Sequence, residues 1–397
     1  MGSFLILLLF VYIIVHSVDV IFHQWILIRK VIGYIMRNLI NNRMKTMNQI
    51  SRNVLNGIVL IVIIPILSCN KTINHPILHF EKSPIHKLTH TRVIDLEEFD
   101  ILKPAHVIRK NDSYMIWDLN NEKMLHLVDF NTKKLINGIK KGSGPGEVVA
   151  IIDLQFKDDS FFIFDPDRQK VNQVDISSDT TFTLKEVMDI NSDKRIFSAN
   201  YQGSHLIANG LFDDAWLVTL KENGEITSKV DFPGFEETSN TTGMELSLLY
   251  LSTRIANKPD NKKVVAATQS FAVLSFLNYI DGLILEEYKQ IKYYGPDFTL
   301  PERGGIAWSK DGQVGFCGLD CDDEFVYALY SGRTFEEYGM LSHHCEHLLV
   351  YDWDGNPVKH YTLDIPLFSM KYDSEKNTIY GIGYNPEGIF VEYQLDD

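Results

Sequence analysis

The feature that most constrains this chain is a hairpin unit that recurs along it. One copy runs Tyr114-Met115-Ile116-Trp117-Asp118, a turn at Asn120-Asn121, then Met124 to Asp129. A second runs Phe161-Phe162-Ile163-Phe164-Asp165, a turn at Pro166-Asp167, then Val171 to Asp175. Later copies begin at Leu348 (Leu348 to Asp352, a turn at Asp354-Gly355-Asn356-Pro357, then Val358 to Leu363) and at Thr378 (a turn at Asn385-Pro386, then Ile389 to Tyr393). Short apolar and aromatic runs broken by Asp, Asn and Gly read as strands and turns, and helical patterning is scarce. A lone hairpin is marginal in water. Repetition at intervals of tens of residues therefore predicts stacked units, a propeller or solenoid in place of a sandwich. At 45% hydrophobic and 12% aromatic the chain has ample core and is not disordered.

A four-strand blade takes about 40–55 residues. Residues 70–397 therefore suit an all-β propeller of six blades, with seven as the alternative count. Six fits better if about 20 residues after Cys69 form a tether. Weaker units are expected at 204–230, 264–287 and 325–330, and loops at 252–263 and 294–302.

Charge divides the chain. Residues 1–69 hold six Lys/Arg and one acid, Asp19, which leaves 32 basic and 51 acidic residues from 70 onward. So acidic a body repels phosphate backbones, and no nucleic-acid partner is expected.

The N-terminus reads as an address. Phe4–Val15 and Ile58–Leu67 are apolar but shorter than the roughly 20 residues that span a bilayer. Met44, Lys45 and Arg52 supply a start and a basic region, Ile58–Leu67 an apolar one, and Ile66-Leu67-Ser68-Cys69 follows. That tetrapeptide resembles the lipobox of bacterial lipoproteins, which implies cleavage before Cys69 and its acylation. Acyl chains worth about 0.8 kcal/mol per buried CH₂ anchor without a spanning helix. The expected organisation is an N-terminal extension at 1–43, a lipoprotein signal peptide at 44–68, lipidated Cys69 with its tether to residue 90, and a propeller at 91–397. The extension is either an over-long start, the preferred reading, or an extra membrane segment at Phe4–Val15 or 18–40. Asn70-Lys71-Thr72 carries no acidic signal for outer-surface display, so the expected address is the bacterial cell envelope, in the periplasm or at the outer membrane.

Gly142-Ser143-Gly144-Pro145-Gly146-Glu147, followed by Phe164-Asp165, resembles a motif of the TolB-like six-bladed β-propeller lipoprotein family. Tyr330-Ser331-Gly332-Arg333, Leu349 to Pro357 and Ile379-Tyr380-Gly381 are similar to the same group, and the likeness covers most of 95–397. It implies fold and address more than activity, and by analogy an interaction role.

Residue chemistry offers few sites. The Gly142–Gly146 run lacks the Gly-Lys-Ser/Thr of a phosphate loop, Pro145 removes a donor and Glu147 repels phosphate, so an inter-blade turn is expected. His343, His344, Cys345, Glu346 and His347 are the densest ligand-type group. Strand alternation divides them between two faces, and no metal site is assigned. Cys317 and Cys321 are candidates for a disulfide through the tight loop at Gly318, with Cys345 a competing partner and three reduced thiols the alternative. The acids Asp320, Asp322, Asp323 and Glu324, and Asp165 with Asp167, read as solvated runs or turns. Trp117, Phe164, Tyr351, Trp353 and Tyr380 read as inter-blade core. No Gly-x-Ser-x-Gly elbow or His-Glu-x-x-His helix is present. The expectation is a lipid-anchored binding or scaffold module for a protein partner or a glycan or peptide ligand, with no cofactor. The alternative is a propeller hydrolase or lyase with acids and histidines at the channel mouth.

Overall fold

A computed structural model describes residues 75–397 apart from 120–121, 178–180 and 397. The signal segment, Cys69 and residues 1–43 lie outside the described residues. Six blades follow one another. Blade 1 comprises Pro104–Lys110, Ser113–Asp118, Leu125–Asp129 and Lys134–Asn137; blade 2 comprises Asp153–Lys157, Ser160–Asp165, Lys170–Ser177 and Thr181–Asp189. Blade 3 comprises Ile196–Tyr201, His205–Gly210, Leu217–Lys221 and Ile226–Val230; blade 4 comprises Thr253–Asn257, Lys263–Thr268, Ala272–Ile280 and Ile284–Tyr294. Each is an antiparallel meander whose first strand faces the centre.

Blades 5 and 6 share a long extended segment, Pro357–Asp373. Its first half pairs with Cys345–Asp352 (His347 opposite Thr362), completing blade 5 after Phe316–Cys321 and Phe325–Tyr330. Its second half pairs with Thr378–Tyr384 (Met370 opposite Gly381) and opens blade 6. Gly388–Gln394 follows, and Arg92–Asp95 from the other end of the domain adds the fourth strand, Val93 opposite Val391. N- and C-terminal strands thus close the ring within one blade and leave no open edge between them.

The core gives an independent count of blades. Among the described residues the buried apolar side chains fall into six clusters, each between two neighbouring blades. The hairpin sequences explain this. In Phe161-Phe162-Ile163-Phe164, Phe161 and Ile163 pack toward blade 1, and Phe162 and Phe164 toward blade 3. In blade 5, Tyr327 and Leu329 face blade 6 while Val326, Ala328 and Tyr330 face blade 4. Side chains alternate along a strand. A strand covered on both faces must therefore be apolar at every position, which is what distinguishes these runs from the one-sided alternation of an exposed sheet.

Two boundaries differ from expectation. Residues 253–257, read as loop, form the inner strand of blade 4 with Ala256 opposite Val265; the loop proper is the turn at 258–262. The segment read as tether up to residue 90 is docked from His75. Pro76–His79 is a helical turn, Phe80 is buried against blades 4 and 5, and Ile85–Leu88 pairs in parallel with His360–Leu363 on the outside of blade 5. Apolar Phe80 and Leu88 hold it there by removing their surface from water. Among the described residues no helix is long and apolar enough to cross a membrane.

Candidate functional site: the channel and the insertions of blades 4 and 5

All six inner strands contribute to a central cavity of about 90 Å3. His106, Asp153, Arg254, Cys317 and Lys371 line it. Burial pushes His106 down to about 3, with Arg254 and Lys371 adding repulsion, so it stays neutral at physiological pH; its ring stacks on Trp117. Burial raises Asp153, against the opposing effect of the Ala199 N–H, which donates to its carboxylate at 2.7 Å. Arg254 Nε donates to the Cys317 carbonyl at 3.1 Å and its Nη2 to Gln269 Oε1 at 3.2 Å, and Lys371 Nζ lies 3.6 Å from Asp320 Oδ1. Ligand pockets usually run to several hundred Å3. This channel has room for a few waters.

The expected turn at Gly142–Glu147 is an inter-blade turn, joining blade 1 to blade 2. Gly144 N donates to Glu147 Oε2 at 2.8 Å, Gly142 N donates to the Val148 carbonyl, and Gly146 has φ +75°. Arg168 clamps it from blade 2 through the carbonyls of Glu147 and Gly142. A Cβ on Gly142 would run into the Glu147 carboxylate, which would have to move away from Gly144 N.

The His343–His347 group is dispersed. His343 Nδ1 accepts from Gln269 Nε2 at 3.1 Å, His344 packs beside Phe368 and Tyr384, Glu346 pairs with Arg333, and His347 Nδ1 meets His360 Nε2 at 3.1 Å. Burial is the first cause that lowers His347 and His360, each to about 4. Among the described residues no group of three or more His, Cys, Asp or Glu is placed to hold a metal ion.

Cys317 and Cys321 do not form the disulfide that their spacing suggested; both are free. They stand near opposite ends of one strand, and four extended residues span about 13 Å, twice the usual Cα separation of a disulfide. Cys321 Sγ instead donates to the Asn257 carbonyl. Asp322 caps the following turn, accepting from Glu324 N and Phe325 N, and Asp165 accepts from Asp167 N and Arg168 N; these acids do not converge. Trp117, Phe164, Tyr351, Trp353 and Tyr380 are all buried between blades, as expected.

What the sequence reading missed is a surface. The crossover from blade 4 to blade 5 (295–315) and the link between the second and third strands of blade 5 (331–344) emerge at the same end of the ring. They are tied by Val314 N to the Arg333 carbonyl, Gly332 N to the Val314 carbonyl and Glu336 N to the Lys310 carbonyl. The first carries the small hairpin Phe298–Thr299 with Ala307–Trp308, the second the turn of helix Phe335–Tyr338 capped by Thr334. Both present large apolar side chains to solvent: Leu300, Trp308, Phe335, Tyr338, Leu341, and Met340 at 76% exposure. The signal was legible as apolar residues in segments outside the blade hairpins. Glu336, Glu337 and Asp311 sit among them, and Arg333 lies over the Tyr338 ring at 4.7 Å.

Similar architectures occur among solved structures. A putative exported protein from Bacteroides fragilis shares 12% identity over 79% of this chain and 100% of its own, with a TM-score of 0.46. Regucalcin, a calcium-binding protein from Agrobacterium tumefaciens, shares 14% over 79% of this chain and 98% of its own, also at 0.46. A search of curated proteins returns no match. The six blades, the six inter-blade cores and a family model that matches residues 80–375 place this chain in the TolB-like 6-blade propeller-like family.

Proposed function

We propose that the protein is a lipid-anchored propeller of the bacterial envelope that binds a protein partner through the insertions of blades 4 and 5. The observation that carries this reading is the concentration of exposed apolar side chains on two linked insertions at one end of the ring. Exposed apolar clusters rimmed by polar residues mark interaction surfaces on soluble domains, and aromatic and Met side chains are enriched in such interfaces. The hydrolase or lyase alternative is less well supported, because the channel of about 90 Å3 is too small for a substrate to sit against His106 and Asp153. The anchor is Cys69, by the lipobox reading of Ile66-Leu67-Ser68-Cys69.

Site-specific photo-crosslinking in intact cells tests the surface. A photoreactive residue at Met340 or Phe335 is expected to give a discrete protein adduct, absent when the probe is at Ile284 on the outer edge of blade 4. Equal labelling from all three positions, or none, overturns the reading. For the anchor, incorporation of a labelled fatty acid that Cys69→Ser abolishes is expected, with release of the variant from the membrane fraction. Unchanged membrane retention of Cys69→Ser overturns it.

A further inference from the structure

Two of the three described cysteines meet at the edge of the channel. Cys317 is on the inner strand of blade 5 and lines the cavity; Cys345 opens the third strand. The second strand would normally separate them. It ends at Tyr330, opposite both Phe316 and His347, and the chain beyond it runs on beside Gly315 and Val314, past the bulge between Phe316 and Gly318, while Cys345 stands two residues before His347. Both side chains belong to the same core cluster, at 1% and 0% exposure. A polar strip links them. Gln269 Nε2 lies 3.8 Å from Cys317 Sγ and 3.1 Å from His343 Nδ1, and Cys345 Sγ donates to the His343 carbonyl at 3.6 Å. The Arg254 guanidinium bonds both the Cys317 carbonyl and Gln269. Buried structural cysteines usually sit among apolar groups alone and are inert. This pair has a cation, an imidazole and a cavity with polar lining beside it.

We propose that Cys317 and Cys345 form an oxidisable dithiol, converted to an intrachain disulfide by hydrogen peroxide, which is close in size to the waters that the central channel has room for. The Cys317 thiolate attacks one oxygen of the peroxide, breaking the O–O bond to give a sulfenic acid and hydroxide, which takes up the proton that Cys317 released. Cys345 gives up its proton and attacks the Cys317 sulfur, forming the Cys317–Cys345 bond and expelling hydroxide, which takes up that proton. The two cysteines lose two electrons and two protons, and H₂O₂ is reduced to two H₂O. The local environment supports these roles: the hydrogen bond from Cys345, with His343 and Arg254 near, holds the Cys317 thiol below its ordinary range, whereas burial raises Cys345. Cys321 serves as the internal control, since burial holds it protonated at the far end of the strand.

The full-length protein, reduced and then treated with hydrogen peroxide, is digested without reduction and examined by mass spectrometry. The expected product is a peptide pair joined through Cys317 and Cys345, lighter by two hydrogens and reversed by a phosphine. Cys345→Ser is expected to stop the reaction at a sulfenic acid on Cys317, trapped with dimedone, and Cys321→Ser to leave it unchanged. Circular dichroism confirms that each variant is folded. A folded protein that forms no Cys317–Cys345 link, links through Cys321, or modifies Cys321 as fast as Cys317 overturns the proposal.

Discussion

At the end of the second strand, blades 1 and 2 place Asp118 and Asp165, whereas blades 4 and 5 place Thr268 and Ser331. The two carboxylates are fully buried. Asp118 accepts from Leu102 N at 2.8 Å and Lys103 N at 3.0 Å, and Asp165 accepts from Val149 N at 3.0 Å besides the two amides of its own turn. Each carboxylate therefore pins the crossover that enters its own blade. Thr268 accepts from Val273 N at 3.0 Å, and Ser331 Oγ donates to the Ser342 carbonyl; both bonds stay within the local loop. A carboxylate has lone pairs enough for several backbone N–H groups at once, and a hydroxyl does not. Where a hydroxyl stands in its place, the entering crossover lacks that tie: those into blades 4 and 5 (231–252 and 295–315) are longer than those into blades 1 and 2 (96–103 and 138–152), and the one into blade 5 carries exposed Leu300 and Trp308.

Acid should separate the two regions most strongly. Lowered imidazoles gather around blade 5, namely His75, His79, His344, His347 and His360. Below about pH 6.5 the unfolded chain takes up protons that folded His347 and His360 refuse until about 4, so their contribution is complete above 6.5 and is lost as pH falls toward 4. Hydrogen-exchange protection factors are expected to fall between pH 7.5 and 5 in blade 5 well before blade 2, whose strands carry no histidine, with blade 1, which holds the lowered His106, between them. Uniform loss around the ring would break the comparison.

Asp165→Ala leaves three backbone donors without their acceptor and is expected to cost about 3 kcal/mol in urea unfolding, against about 1 kcal/mol for Thr268→Ala. Equal costs would show that the carboxylate does no more than the hydroxyl. Gly142→Ala displaces the Glu147 carboxylate from Gly144 N and should cost about 1 kcal/mol, with little further loss in a Glu147→Ala background. Additive costs would mean the strain lies elsewhere. The smallest effect is expected at the exposed surface. Phe335→Asp should leave stability within about 0.5 kcal/mol while abolishing the Met340 crosslink. A large destabilisation would place Phe335 in a structural role.

The Gly142–Glu147 turn and the aromatic core positions were readable because each depends on neighbours in sequence or on a period of two. The two Asp residues were readable as strand ends, yet their work is done on amides 15 or 16 residues earlier, which no local pattern reveals. The inner strand at 253–257 was hidden because only two of its five residues, Thr253 and Ala256, are buried, which leaves too short an apolar signature.

By itself the sequence determined the unit: a strand buried on both faces, a turn of Asp, Asn and Gly, and enough repeats to close a ring. That follows from solvent exclusion acting on every position of a sandwiched strand. The tertiary structure alone decided what meets across the ring. It brings Arg92–Asp95 to Gly388–Gln394, Ile85–Leu88 to His360–Leu363, and Cys317 to Cys345 in place of Cys321. Strand pairing and core packing reward proximity in space, and a closed ring of six blades makes near neighbours of residues that the chain holds far apart.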